Sequence, residues 1–161
     1  LAGINAGVFY LIIYFASMLA AMTMITYFTN DKGEALMVED YRGLFWSRPW
    51  LAAFFTLTML SLAGIPFTAG FMGKFFVLSS GMAANGGLFL LIVLVVSSTI
   101  GLFYYLRVVA AMLSRSETSS IEDHIGSHSV VLKLVIAALF ILILWLGIYP
   151  SMFLEMLGKI G

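Results

Sequence analysis

Cysteine is absent from this chain of 161 residues. That excludes disulfides, thiolate-bound iron–sulfur clusters and a cysteine nucleophile, and it says little about redox compartment. Charge is nearly as scarce, at 10% of residues against about 25% in ordinary soluble domains. Eight Lys/Arg balance eight Asp/Glu, so there is no basic excess of the kind that binds nucleic acid and no acidic tail. What fills the chain instead is apolar: 62% hydrophobic residues and a mean hydropathy of +1.08. Such a chain cannot cover its apolar side chains with its own polar ones, so lipid must do it.

Where the few charges fall sets the organisation. The whole of 1–161 reads as a single transmembrane helical region, all-α and polytopic. Its first residue is Leu1 and no positively charged segment precedes the apolar run, so the expectation is a piece of a longer chain rather than a signal peptide. A first uncharged stretch covers 6–28. Residues 29–48, TNDKGEALMVEDYRGLFWSR, hold seven charges and read as an aqueous loop with room for a short interfacial helix. Pro49 suits the first position of a new helix. The stretch 49–81 would be about 50 Å long if wholly helical, against a hydrocarbon thickness of about 30 Å. It is expected to break near 64–67, where Gly-Ile-Pro stands. After the turn MAANGG, further spans are expected at 88–113 and 130–149, separated by the polar loop SRSETSSIEDHIGSHS at 114–129. Pro150 ends or kinks the last span, and 150–161 form a tail.

That makes four membrane spans with both charged loops on one side. Six of the eight Lys/Arg flank those loops, namely Lys32, Arg42, Arg48, Arg107, Arg115 and Lys133, while the opposite side has Lys159. The positive-inside rule then makes the loops cytoplasmic and turns both ends of the chain outward. Seven of the eight acidic residues lie in the same loops, but the rule counts Lys and Arg rather than net charge.

The remaining cation, Lys74, is the most informative residue. Nothing else in 60–81, LSLAGIPFTAGFMGKFFVLSSG, is charged. A lysine at the centre of a membrane helix costs roughly 2.5–3.5 kcal/mol on insertion scales. Gly64 and Pro66 interrupt the helix just before it. Pro66 has no amide hydrogen and clashes with the carbonyl of Leu62. The freed carbonyls need water or polar side chains, and Ser61 and Thr68 are adjacent. Irregular backbone at membrane depth is tolerated where it is buried in protein or lines a wet cavity. An interrupted apolar helix with one ionisable group is the pattern of an ion or proton pathway. A lysine tuned by desolvation can load and release a proton. The bland alternative is a stem that snorkels about 10 Å to the outer surface at Gly81.

Other features resemble chemistry and are better explained without it. The pentapeptide GFMGK at 70–74 is similar to the end of a phosphate-binding loop, but Phe75 replaces the magnesium-binding Ser or Thr and no strand precedes it. His124 and His128, near Glu122 and Asp123, have a conceivable metal spacing yet lie in a Ser/Gly-rich loop without an HExxH pattern, so no metal site is assigned. Lys133 can snorkel, Arg107 reads as an anchor or a phosphate contact, and Glu155 with Lys159 reads as a surface pair. Trp46, Trp50, Tyr104, Tyr105 and Tyr149 fall near expected interfaces, where amphipathic rings settle. The ten methionines suit adaptable packing.

Three segments together carry a resemblance: DYRGLFWSRP at 40–49, MLSLAGIPFTAGFMGKFFVL at 59–78 and SSTIGLFYYLRVV at 97–109. They resemble the subunit N family of the bacterial proton-pumping NADH–quinone oxidoreductase, respiratory complex I. The chain is similar to the C-terminal third of such a subunit. The resemblance is specific over 40–109 and loose in the first and last spans. It implies a fragment of an antiporter-like subunit of fourteen membrane helices, with two inverted five-helix repeats that each contain a discontinuous helix. The stretch 49–81 would be the second of these, and Lys74 its buried lysine in the outward half of the proton path. The glutamate and further lysines of the family's other half-channel are not in this sequence, so the fragment alone is not expected to move protons.

The resemblance also implies no flavin, iron–sulfur or NADH site in this chain. NADH and quinone are used by the whole complex. Implied partners are neighbouring antiporter-like and small membrane subunits, in the bacterial cell inner membrane, with no nucleic acid. Two other readings stand beside it: a subunit of a multi-subunit sodium/proton antiporter, and a structural membrane fragment without transport.

Overall fold

The computed structural model describes residues 2–28, 37–82, 87–115 and 130–150. The described chain is helical, in six α-helices: α1 (Ala2–Phe28), α2 (Leu44–Ser47), α3 (Pro49–Ala63), α4 (Ala69–Gly81), α5 (Gly87–Leu113) and α6 (Val130–Ile148). Three are long and apolar enough to cross a membrane: Gly3–Phe28 within α1, and the whole of α5 and α6. Helices α3 and α4, of 15 and 13 residues, are each shorter than the roughly 20 residues a span requires. Helix α1 starts at Ala2, before the apolar stretch that opens at residue 6, because helical hydrogen bonding does not need apolar side chains at an exposed first turn.

Helix α1 lies at the centre, against α3, α4 and α6, and α5 packs on α3. Apolar residues cover α1 all round, so its sequence does not choose a face. The structure buries one stripe at steps of three and four: Phe9, Ile13, Ser17, Ala20, Met24 and Phe28. The core continues through Phe55 and Met59 of α3, Met112 of α5, and Ile143 and Leu146 of α6.

The connection that reads as an aqueous loop is not wholly aqueous. A 3₁₀ turn at Val38–Tyr41 and then α2 send Tyr41 and Leu44 into the core. The Tyr41 ring lies 5.7 Å from Phe28 and 5.5 Å from Phe55. Burial, with the Asp40 carboxylate alongside, pushes its phenol up to about 12, so it stays neutral. The sequence DYRGLFWSRP alternates charged residues with aromatic and aliphatic anchors, which lays the segment along the helix ends. There Trp46 donates from Nε1 to the Leu113 carbonyl at 3.3 Å, and Arg115 stacks over its ring at 5.2 Å. Arg107 pairs with Glu39 at 3.6 Å, both exposed.

Candidate functional site

The site is built where α3 stops. Gly64 takes the left-handed conformation, φ 78° and ψ 41°. Its N–H donates to the Ser61 carbonyl at 3.1 Å, and the Ile65 N–H donates to the Leu60 carbonyl at 3.1 Å. Those two bonds are the Schellman ending of a helix, which favours glycine at this position. Pro66 follows and cannot continue the helix. Phe67 also has positive φ, 72°, an uncommon state for a residue with a side chain. Thr68 then caps α4: its Oγ1 accepts from the Phe71 N–H at 3.4 Å and donates to the Ile65 carbonyl at 2.7 Å.

The Schellman bonds leave the last carbonyls of α3 without helical partners. Lys74, in the second turn of α4, reaches back to two of them. Its Nζ donates to Ala63 O at 3.1 Å and to Leu62 O at 3.4 Å. A cation there also complements the partial negative charge at the helix C-terminus. The carbonyls assigned from sequence to water or to Ser61 and Thr68 are therefore served by Lys74 itself, with Thr68 bonding Ile65. Lys74 is half-buried rather than enclosed, and no carboxylate pairs with it among the described residues.

Glycines set the closeness of this junction. A Cβ on Gly64 would lie 2.7 Å from Lys74 Nζ, and one on Gly70 would lie 1.8 Å from the Ser61 carbonyl oxygen. The structure thus brings Gly64, Pro66 and Lys74 to one place, with Lys74 folded over the break. Two cavities meet at Lys74. A cleft of about 340 Å³ faces α5 and includes Pro66, Phe75, Ser98 and Thr99 in its walls. A small cavity of about 10 Å³ faces α1 and is walled by Tyr10, Tyr14, Ser17, Ser61 and Gly70 besides Lys74.

Residues 70–74 lie inside helix α4, which gives GFMGK no phosphate-loop geometry. Lys133 is exposed in the first turn of α6. His124, His128, Glu122, Asp123, Lys32, Glu155 and Lys159 lie outside the described residues. Among the described residues no three His, Asp or Glu side chains cluster as metal ligands. Ser17 is a site residue that sequence reasoning did not single out. A hydroxyl in an apolar span is a weak signal, because Thr23 and Thr26 share it and simply bond the carbonyl four residues back.

An apolar helix interrupted at its midpoint, with a lysine reaching into the interruption, places the chain among polytopic membrane proteins with a discontinuous helix. Residues 1–101 match the family described as NADH:quinone oxidoreductase/Mrp antiporter, TM, and the chain belongs to that family. It is 43% identical over 138 residues to NADH-quinone oxidoreductase subunit N of Nitrosospira multiformis, covering 82% of this chain and 27% of that protein. With the subunit of the same name from Ectopseudomonas mendocina it shares 41% identity over 152 residues, 91% of this chain and 30% of the relative. Among solved structures it is similar to a chain of respiratory complex I from Thermus thermophilus with bound aureothin, with a TM-score of 0.74 and 27% identity, covering 94% of this chain and 34% of that one. The chain therefore spans less than a third of the length of the two subunit N relatives named and about a third of the Thermus chain.

Proposed function

We propose that this chain is a stretch of the proton-translocating membrane subunit N of a bacterial NADH–quinone oxidoreductase, and that Lys74 is a proton-transfer residue in it. Helices α3 and α4 then form one discontinuous span, so the chain has four spans, with cytoplasmic charged loops and periplasmic ends. Quinone reduction by NADH takes place elsewhere in the complex. Neighbouring antiporter-like and small membrane subunits flank this one in the bacterial inner membrane.

The observation that carries the reading is the capping of α3 by Lys74. As an ammonium, Lys74 has three N–H donors and directs two of them at Leu62 and Ala63. As an amine it has two donors and one lone pair. Gain or loss of a proton therefore leaves a donor for each carbonyl but changes how strongly they are held, which couples the charge on Lys74 to the firmness of the helix break.

The test is made in the full-length, assembled complex. Lys74→Ala is expected to lower proton pumping, and Lys74→Arg is expected not to restore it fully, because arginine hardly deprotonates. Normal pumping and quinone reduction in a fully assembled Lys74→Ala complex would sink the proposal. The sodium/proton antiporter reading keeps some support, since the family description names both kinds of protein. The subunit N relatives at 41–43% identity favour the oxidoreductase. A native pull-down separates them: hydrophilic NADH-oxidising partners in one case, only small membrane partners in the other.

A further inference from the structure

We propose that the small cavity on the α1 side of Lys74 holds one ordered water molecule, hydrogen-bonded to Lys74 and to the paired hydroxyls of Ser17 and Ser61, and that Ser17 is a positioning residue for Lys74. The proposal rests on Lys74 being the proton-transfer residue.

The argument is an accounting of hydrogens. Ser17 Oγ and Ser61 Oγ are 3.0 Å apart, and both side chains are 1% exposed. Ser61 Oγ also accepts from the Gly70 N–H at 3.2 Å, which ties α3 to the first turn of α4. Two hydroxyls carry two hydrogens, and only one can lie between them. Whichever serine donates, the other hydroxyl hydrogen meets no acceptor among the described residues. That departs from the other buried hydroxyl at mid-helix, Thr58, which donates to the Phe54 carbonyl at 3.0 Å. Buried polar hydrogens are nearly always satisfied, by protein or by ordered water.

Lys74 has the matching surplus. Two of its ammonium hydrogens go to Leu62 and Ala63, and the third meets no acceptor among the described residues. Lys74, Ser17 and Ser61 all border the same cavity of about 10 Å³. That is about the smallest space that admits one water, and such a site also needs two or more polar partners. A water there accepts one hydrogen from the serine pair and one from Lys74, filling both its lone pairs. When Lys74 is an amine, the same water rotates and donates to the nitrogen lone pair. The side chain stays satisfied in both protonation states. Without the Ser17 hydroxyl, the water loses one anchor and Lys74 loses its fixed partner on the α1 side.

Two measurements on the full-length complex decide it. A density map that resolves ordered water elsewhere in the membrane arm is expected to show one water within hydrogen-bond distance of Lys74 Nζ and of one of the two Oγ atoms. A dry cavity in such a map overturns the proposal. At matched assembly, Ser17→Ala is expected to slow proton pumping about two- to tenfold, on the scale of one lost hydrogen bond. Ser17→Thr keeps the hydroxyl and is expected to hold most of the rate. An unchanged rate in Ser17→Ala, or equal losses in both variants, overturns it. Lys74→Ala measured alongside keeps the two readings apart. If Lys74→Ala fails to pump while Ser17→Ala pumps normally, only the water site is wrong. Should Lys74→Ala pump normally, the assignment of Lys74 falls first.

Discussion

Gly64→Ala tests the helix break more sharply than any substitution of the lysine, because it leaves every titratable group in place. The glycine stands at φ 78°, where an L-residue with a Cβ loses about 1–2 kcal/mol. The added carbon would also lie 2.7 Å from Lys74 Nζ, 2.9 Å from its Cδ and 3.1 Å from its Cε. Contacts that short force the flexible end of the lysine to shift, which strains the bonds from Nζ to Leu62 O and Ala63 O. Bonds to a charged group contribute about 1.5–3 kcal/mol each, so weakening them adds to the strain, less whatever water the shifted ammonium recovers. The expected result in the assembled complex is a lowered midpoint of thermal inactivation together with slowed proton pumping. Gly7→Ala is the control, since a Cβ there meets nothing within 4 Å and α1 is helical on both sides. That variant should behave as wild type or be slightly more stable. Wild-type stability and pumping in Gly64→Ala would refute both the left-handed cap and the placement of Lys74 over it.

Gly70→Ala should be the most damaging of the glycine variants, because its Cβ would lie 1.8 Å from the Ser61 backbone oxygen, which cannot swing aside; the expected readout is loss of assembled complex on a native gel. Breaking the exposed ion pair with Glu39→Ala or Arg107→Ala should change stability by no more than about 1 kcal/mol, measured as thermal inactivation. For topology, cysteines introduced singly at Asp31 and Ser120 should be labelled only from the cytoplasm and one at Ala84 only from outside; labelling of 31 or 120 from outside overturns the orientation.

How much of this was legible in the sequence depends on the kind of signal. Backbone exceptions read well: Gly64 and Pro66 mark the end of α3 because left-handed φ and a missing amide hydrogen are properties of those residue types. Lys74 stands out in the sequence because a lone charge in an apolar run is rare, and the structure sets it against the break. What does not read is which side of an apolar helix is buried. Helix α1 is hydrophobic all round, so nothing in its periodicity separates the buried Phe9, Ile13 and Met24 from the exposed Leu11, Phe15 and Leu19. Ser17 is hidden for the same reason. Its partner is 44 residues away, and only the crossing of α1 with α3 brings the two hydroxyls together. The segment with Tyr41 and Leu44 misleads in the opposite direction. Its charges are counted at sight, whereas the aromatic anchors between them decide where it lies.

The break and the lysine are best understood as one device. A broken helix within an apolar layer exposes carbonyl groups that lipid cannot satisfy, and each would be costly if left alone. A lysine in the same layer is costly too. Placed together they offset each other, because the ammonium supplies the donors that the carbonyls require. This mutual compensation explains why neither feature needs a carboxylate partner among the described residues. It also gives the pair its sensitivity to charge. Neutral lysine retains two hydrogens, enough for Leu62 and Ala63, but loses the attraction between a full positive charge and the end of α3. The bonds survive a change of protonation while their strength does not. If Lys74 carries the proposed proton transfer, it does so with both bonds across the break kept and only their strength changed.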